Sequence, residues 1–246
     1  MSYSVDWLPL LFFVIALVYS SVGFAGGSSY LAVMVLAGLP YPEMKPIALS
    51  CNLLVSSIGF WNFSRAGYFK LRTVLPFAVL SVPMAFLGAK VPVGKEVFTV
   101  LLGVSLAMAG LRIFFLRKDR DEVRSLTQKE WWAFGLPIGA AIGFFSGLIG
   151  IGGGIFLAPV LILTRWAKVK EAAAAASFFI FVNSFAGLLG RFEPVMFADH
   201  NLFIMGFAVL LGGAIGSSLG SRRLPEFHLQ RVLAGLLLFV SFGLIF

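Results

Sequence analysis

Nine consecutive residues, Ser146–Gly154, read SGLIGIGGG and interrupt an otherwise apolar part of the chain. Each glycine lowers helix stability by roughly 0.5–1 kcal/mol relative to alanine, so such a dense run of glycines predicts a helix break. The flanking residues, 131–145 and 155–163, are apolar enough to lie in lipid. Backbone without hydrogen bonds is tolerated at membrane depth only inside protein or beside a wet cavity. We therefore expect a half-helix to begin at Gly154 and to direct its free N–H groups towards an anion.

A fainter copy of this pattern lies near the N-terminus, at Ser20–Ser29, which reads SSVGFAGGSS. Matching helix breaks in the two halves of a membrane chain indicate the binding site of a secondary transporter. The predicted substrate-binding residues in the breaks are Gly26, Gly27, Ser28 and Ser29 in the first copy, with Gly152, Gly153 and Gly154 in the second.

The composition excludes a soluble domain. Of 246 residues, 59% are hydrophobic and only 12% are charged, and the mean hydropathy is +0.97. These values predict an all-α, polytopic integral membrane protein. The net charge of +8 does not indicate nucleic acid, because no basic patch is interleaved with stacking aromatic residues. The first apolar segment has no basic leader, so we expect it to be retained rather than cleaved as a signal peptide.

The apolar segments form two sets of five, separated by a charged loop. They cover residues 7–22, 28–39, 46–63, 74–89 and 97–115, then 131–147, 155–163, 172–189, 202–221 and 229–246. This order predicts a first membrane repeat at residues 1–115, a cytoplasmic connecting loop at 116–130, and a second membrane repeat at 131–246.

The second segment of each repeat is far shorter than the ~20 residues that a spanning helix needs. We expect it to form a hairpin with the first segment, with the glycine-rich tip inside the membrane; two tilted short spans are the alternative. A hairpin and three spanning helices cross the membrane an odd number of times, so the two repeats should be inverted. With both termini outside, only Lys45, Lys90, Lys95 and Arg191 lie on the outer side, as the positive-inside rule favours.

Small residues recur at helical spacing. They are Gly139, Gly143 and Gly147, then Gly212, Gly216 and Gly220, and the run Ala172–Ala176. In lipid, such faces let helix backbones approach closely, so we predict that they form helix interfaces.

The residues that carry enzymatic chemistry are not grouped in this sequence. No His, Cys or carboxylate cluster has the spacing of a metal site, so we expect neither an enzyme nor a cofactor. Glu43 and Glu171, each just before the third helix of a repeat, are the nearest candidates for a proton relay. Both also fit the simpler interpretation of first-turn acids that interact with a helix dipole.

Neutral polar residues occur instead within the apolar segments. The candidates for substrate binding are Ser50, Cys51 and Asn52 in the first repeat, with Ser177 and Asn183 in the second. Several weak hydrogen-bond donors can bind an oxyanion and still release it, as transport requires. Other roles remain open: Asn52 and Asn183 can form interhelical hydrogen bonds worth ~0.6 kcal/mol, Cys51 can be a small core residue, and serines often bond to their own helix.

The SGLIGIGGG stretch, the following Leu157-Ala158-Pro159 and the first copy ending in Gly26-Gly27 resemble the TauE/SafE family of membrane permeases, often called sulfite exporters. The resemblance covers nearly the whole chain. It implies transport of small sulfur-containing anions, such as sulfite, sulfoacetate, thiosulfate or organosulfonates, across the bacterial inner membrane. The first copy departs from the fuller glycine pattern at Phe24-Ala25 and Ser28-Ser29.

The leading functional hypothesis is export of such an anion by alternating access through a midplane site at the two breaks. The inside-negative potential favours anion export by about 2.3 kcal/mol per charge per 100 mV. The alternatives are an anion channel, an uptake permease for thiosulfate or organosulfonate, and a sulfur-relay membrane protein that uses Cys51. The expected partners are the anion and the lipid bilayer, and the sequence leaves a homodimer open.

Overall fold

The structure is a computed structural model that describes residues 7–92, 123–124, 126–191 and 200–223, with scattered positions at 94–114 and 225–242. All regular secondary structure in these residues is helical, which confirms the predicted all-α class. The helices are α1 (Leu8–Ser21), α2 (Gly27–Leu36), α3 (Tyr41–Arg65), α4 (Leu71–Lys90), α5 (Gln128–Ile149), α6 (Gly154–Leu163), α7 (Val169–Gly190) and α8 (His200–Arg222). The segments predicted at residues 97–115 and 229–246, and the loop at 116–130, lie partly or largely outside the described residues.

Five of these helices are long and apolar enough to cross a membrane, namely α3, α4, α5, α7 and α8. Their outer faces expose large apolar side chains, including Leu87, Phe145 and Phe207. Large apolar side chains on the outer faces of helices of this length are solvated by lipid. The protein is therefore a multi-pass membrane protein, as its composition predicts.

Several helices begin earlier than the apolar segments predict, and α5 and α3 show why. α5 begins at Gln128 because Thr127 and Glu130 form a capping box: the Glu130 N–H donates to Thr127 Oγ1, and the Thr127 N–H donates to Glu130 Oε2 at 2.8 Å. α3 begins at Tyr41 because Pro42 is compatible with a first helical turn, where no N–H is needed. Lys45 therefore lies within α3.

Glycines form the interface between α4 and α5. A Cβ atom on any of three glycines of α5 would overlap the backbone of α4, so the two helices are in direct backbone contact. The facing pairs are Gly139 with Phe77, Gly143 with Ser81, and Gly147 with Ala85. Residue numbers rise together in these pairs, so α4 and α5 run parallel.

α1 and α8 form an equivalent parallel interface. Gly212 faces Phe13, Gly216 faces Leu17, and Gly220 faces Ser21. The predicted packing role of these glycine rows is confirmed. The first helix of each half thus packs against the fourth described helix of the other half.

α7 lies at the centre of the bundle, with 72% of its most apolar 18-residue stretch buried. The small residues Ala172–Ala176 are all buried and let neighbouring helices approach it closely. α7 packs against α3 in antiparallel fashion, because Gly59 approaches Ser177 near one end and Gly187 approaches Leu49 near the other.

Candidate functional site

The first helix break separates α1 from α2. α1 ends at Ser21, and the chain then turns through Gly23 (φ +83°) and Gly26 (φ +95°) before α2 begins at Gly27. Positive φ angles are easily adopted only by glycine, so these two residues permit the turn. The interruption that the sequence predicts at residues 20–29 is present.

The second break separates α5 from α6 and uses more glycine. Gly150, Gly152 and Gly153 have φ angles of +89°, +76° and +78°. The N–H of Gly150 donates to the carbonyl of Ser146 at 2.7 Å, which closes the C-terminal end of α5. α6 then begins at Gly154, the residue that the sequence predicts.

Both short helices begin without a side-chain cap. The N-cap residues are Gly26 for α2 and Gly153 for α6, and neither offers a side chain to the first N–H groups. The first two N–H groups of each helix have no acceptor within that helix, because the carbonyl four residues earlier lies before its start. Each helix N-terminus carries a partial positive charge of roughly +0.5, which favours a bound anion.

Asn52 brings the two breaks together. It lies in the middle of α3 and is 0% exposed. A Cβ atom on Gly27 would overlap its amide, and a Cβ atom on Gly152 would lie 3.2 Å from Nδ2. One side-chain amide therefore contacts both helix breaks.

Three polar groups beside the breaks lack hydrogen-bond partners in the described part of the chain. They are the amide of Asn52, at both Nδ2 and Oδ1, the hydroxyl of Ser184 and the hydroxyl of Tyr30. The Ser184 hydroxyl lies 2.8 Å from a Cβ built on Gly152, and that of Tyr30 lies 3.2 Å from one built on Gly26. A buried polar group left unpaired costs about 1–3 kcal/mol. Such a cluster at two helix N-termini has the chemistry of a polar ligand site.

Several predicted site residues use their polar groups within the protein. Ser177 Oγ donates to the carbonyls of Gly23 (2.9 Å) and Ala173 (3.0 Å), which attaches the first break to α7. Asn183 accepts a hydrogen bond from Ser81 at 2.5 Å and donates to the carbonyl of Phe179 at 2.9 Å. The interhelical role considered for Asn183 matches these contacts.

The remaining predicted residues divide between the breaks and α3. Gly153 packs against Phe179, Ile142 and Ser146, and Gly154 against Ile180 and Ala176. Ser28 and Ser29 are buried, and Ser29 Oγ lies 2.5 Å from Tyr19 Oη. Half-buried Ser50 and buried Cys51 precede Asn52 on α3, and at 3.6 residues per turn their side chains point to other faces of that helix.

The sequence analysis assigns Lys45 to the outer side of the membrane and does not predict that its side chain is buried. It is 1% exposed, and its Nζ donates to the carbonyl of Leu148 at 2.7 Å. Its Cβ and Cγ lie 3.3 Å from a Cβ built on Gly150. Lys45 is buried because α3 begins before the apolar segment does, which places this residue among packed helices.

Tyr30 and Ser184 are absent from the predicted site. Tyr30 follows the first break by only a few residues, so its position in the sequence could have indicated it. Ser184 carries no sequence signal beyond its polarity in an apolar helix, and only packing places it beside Gly152.

The two acidic candidates lie at helix starts. Glu43 is exposed in the first turn of α3. Glu171 lies in the first turn of α7 and forms an ion pair with Lys70, with Nζ and Oε1 2.5 Å apart. Both positions match the interpretation as first-turn acids that interact with a helix dipole.

Comparison with known proteins places these features in context. Residues 8–244 match the family model described as Sulfite exporter TauE/SafE. The chain is similar to the probable membrane transporter protein y4hK of Sinorhizobium fredii, with 38% identity over 236 residues and 95% of each chain covered. It is also similar to the probable membrane transporter protein YunE of Bacillus subtilis, with 27% identity over 241 residues, 87% of this chain and 86% of that one. The probable membrane transporter protein YfcA of Escherichia coli K12 is 26% identical over 226 residues, 87% of this chain and 80% of that one. No solved structure is significantly similar.

Proposed function

The chain belongs to the TauE/SafE family of membrane transporters, and on that basis we propose that it carries a small sulfur-containing anion, such as sulfite, a sulfonate or sulfoacetate. The anion binds between the two helix breaks. The observation that supports this site most directly is the buried amide of Asn52, which contacts both breaks and has no hydrogen-bond partner in the described residues.

The chemistry of the cluster suits a sulfonate or sulfite group. Its oxygens accept hydrogen bonds from the N–H groups that begin α2 and α6, from Asn52 Nδ2, and from the hydroxyls of Ser184 and Tyr30. The two helix ends together contribute roughly one positive charge. Several weak donors bind an anion and still release it, which transport requires.

The helix directions support an arrangement of inverted repeats. α3 and α7 are the third helices of the two proposed repeats, and they run antiparallel. The α4–α5 and α1–α8 interfaces are equivalent under such an arrangement, because in each the first helix of one half packs against the fourth described helix of the other. Inverted repeats around a midplane site are the usual basis of alternating access in secondary transporters.

Polar contacts join the halves on both sides of the breaks. Near one end of the bundle, Lys70 pairs with Glu171. Near the other end, Arg191 Nε donates to the carbonyl of Ala89 at 2.9 Å. In the proposed cycle, one set of contacts opens while the other stays closed. With an anion as substrate, the membrane potential drives export without a coupling ion.

The test is anion flux through purified protein in liposomes, measured for wild type and Asn52→Leu. Leucine is similar in volume and removes an amide that has no partner in the described residues, so we expect thermal stability to be retained or to rise. Flux of sulfite or sulfonate should fall by about tenfold or more, which corresponds to about 1.4 kcal/mol of lost binding.

Asn183→Leu is the matched control. It leaves the Ser81 hydroxyl without its acceptor, so stability should fall by about 1–3 kcal/mol, whereas the Phe179 carbonyl keeps its helical backbone partner. Unchanged flux in Asn52→Leu would show that the site is wrong. Wild-type protein that carries no sulfur-containing anion would overturn the proposed substrate class, and flux that never saturates would indicate a channel.

A further inference from the structure

The buried lysine at the second break has no role in the mechanism described so far. Lys45 reaches from α3 to the C-terminal end of α5, where its ammonium group binds the Leu148 carbonyl at 2.7 Å. Its stem lies against Gly150, the first residue of the break. An ionisable side chain buried among membrane helices is costly and usually has a function.

Each break creates an electrostatic conflict for an anion. One helix ends and the next begins at each break, so a helix C-terminus lies close to a helix N-terminus. The two carry partial charges of opposite sign. The positive start of α6 attracts the anion, while the negative end of α5 repels it. The net attraction therefore depends on what neutralises the carbonyl groups at the end of α5.

Backbone N–H groups bind C-terminal carbonyls at both breaks, but the side-chain donors differ. At the end of α1, the Val18 carbonyl accepts from the Ser21 hydroxyl at 2.5 Å, and the Ser20 carbonyl accepts from the Gly23 N–H at 3.1 Å. At the end of α5, the Leu148 carbonyl accepts from the Lys45 ammonium group. A lysine side chain, which carries a full positive charge when protonated, thus lies at the break that also has the fuller glycine run.

We propose that Lys45 is a positioning residue that sets the charge selectivity of the anion site, an inference that rests on the function proposed above. Its ammonium group cancels the negative end of α5, so that the anion experiences the positive ends of α2 and α6. Coulomb energy is proportional to the charge of the ligand. Loss of the lysine charge therefore weakens a dianion more than a monoanion, whereas a purely structural role would weaken both alike.

The experiment measures dissociation constants by titration calorimetry of the full-length purified protein. The probes are methanesulfonate, a monoanion, and sulfoacetate, which adds a carboxylate charge to the same sulfonate group. The key variant is Lys45→Gln, which keeps a hydrogen-bond donor and removes the charge. If it weakens methanesulfonate by about tenfold, or about 1.4 kcal/mol, proportionality to charge predicts up to about a hundredfold for sulfoacetate.

Lys45→Arg is the conservative control and should restore most of the affinity for both anions. If Lys45→Gln does not fold, Lys45→Met provides the same neutral comparison with an apolar side chain suited to a buried position. Equal losses for the two anions, or no rescue by arginine, would overturn the charge-selecting role. Failure of the wild type to bind either anion would overturn the proposed function instead, so the two failures are distinguishable.

Discussion

At the residue scale, the glycines of the breaks meet two separate requirements, a positive φ angle and the absence of a side chain. Gly152 meets both, because its φ is +76° and a Cβ there would lie within 3.2 Å of Ile180, Ser184 and Asn52. Gly67, in the connection between α3 and α4, has a φ of +83°, but no residue that the structure describes lies within 4 Å of its Cβ position. A comparison of substitutions at Gly152 and Gly67 therefore separates the effect of backbone strain from the effect of a side chain that enters the site.

We expect Gly152→Ala to abolish anion flux, because its methyl group enters the space between Asn52 and Ser184. Gly67→Ala should carry only the cost of a positive φ, about 1–2 kcal/mol, and should leave flux close to wild type. Liposome flux and thermal unfolding of both variants check this. Equal loss of flux in the two variants would mean that general destabilisation, rather than the site, explains the effect.

The sequence predicted the backbone of the breaks better than the side chains around them. Clustered glycines and half-helix starts are local features, so Gly26 and Gly153 could be located by inspection. The convergence of Gly27, Asn52 and Gly152 depends on packing between distant segments, which one sequence does not specify. For the same reason, the polar residues Ser177 and Asn183 looked equivalent to Asn52, although their polar groups are satisfied by neighbouring helices.

At the element scale, the glycine row of α5 sets how closely it approaches α4. A Cβ at Gly143 would overlap the backbone of Ser81, whereas a Cβ at Gly206 of α8 would only contact Leu54 at 3.5 Å. We expect Gly143→Ala to lower stability by about 1–3 kcal/mol through overpacking. Gly206→Ala should be neutral, or should stabilise by up to about 1 kcal/mol through helix propensity.

Thermal unfolding in detergent measures both substitutions. A stability of Gly143→Ala equal to that of Gly206→Ala would show that the α4–α5 backbone contact is not closely packed in the membrane protein. The row was recognisable from its four-residue spacing, but the sequence could not identify its partner helix. The predicted helix starts were also too late, because they were taken from the apolar segments. Polar capping residues such as Thr127, and the first turn of α3, lie before those segments.

At the scale of the whole molecule, the distribution of positive charge predicts the orientation. We expect the connection before α5 to face the cytoplasm and the end of α4 to face outside. The chain has one cysteine, Cys51, so Cys51→Ala provides a background for single cysteines at exposed Lys129 and Lys90. An impermeant maleimide should label Lys90→Cys in intact cells and Lys129→Cys only after the membrane is opened. The reverse pattern would show that the orientation is inverted.

The parallel contact between α1 and α8 has a consequence for biogenesis. Phe13, Leu17 and Ser21 face Gly212, Gly216 and Gly220, so α1 packs against a helix that is synthesised after α2 to α7. Until α8 is synthesised, the matching surface of α1 is left to lipid, the translocon or an insertion chaperone. This interface therefore cannot form until α8 has been synthesised, and chains truncated before α8 should be recognised by membrane proteases.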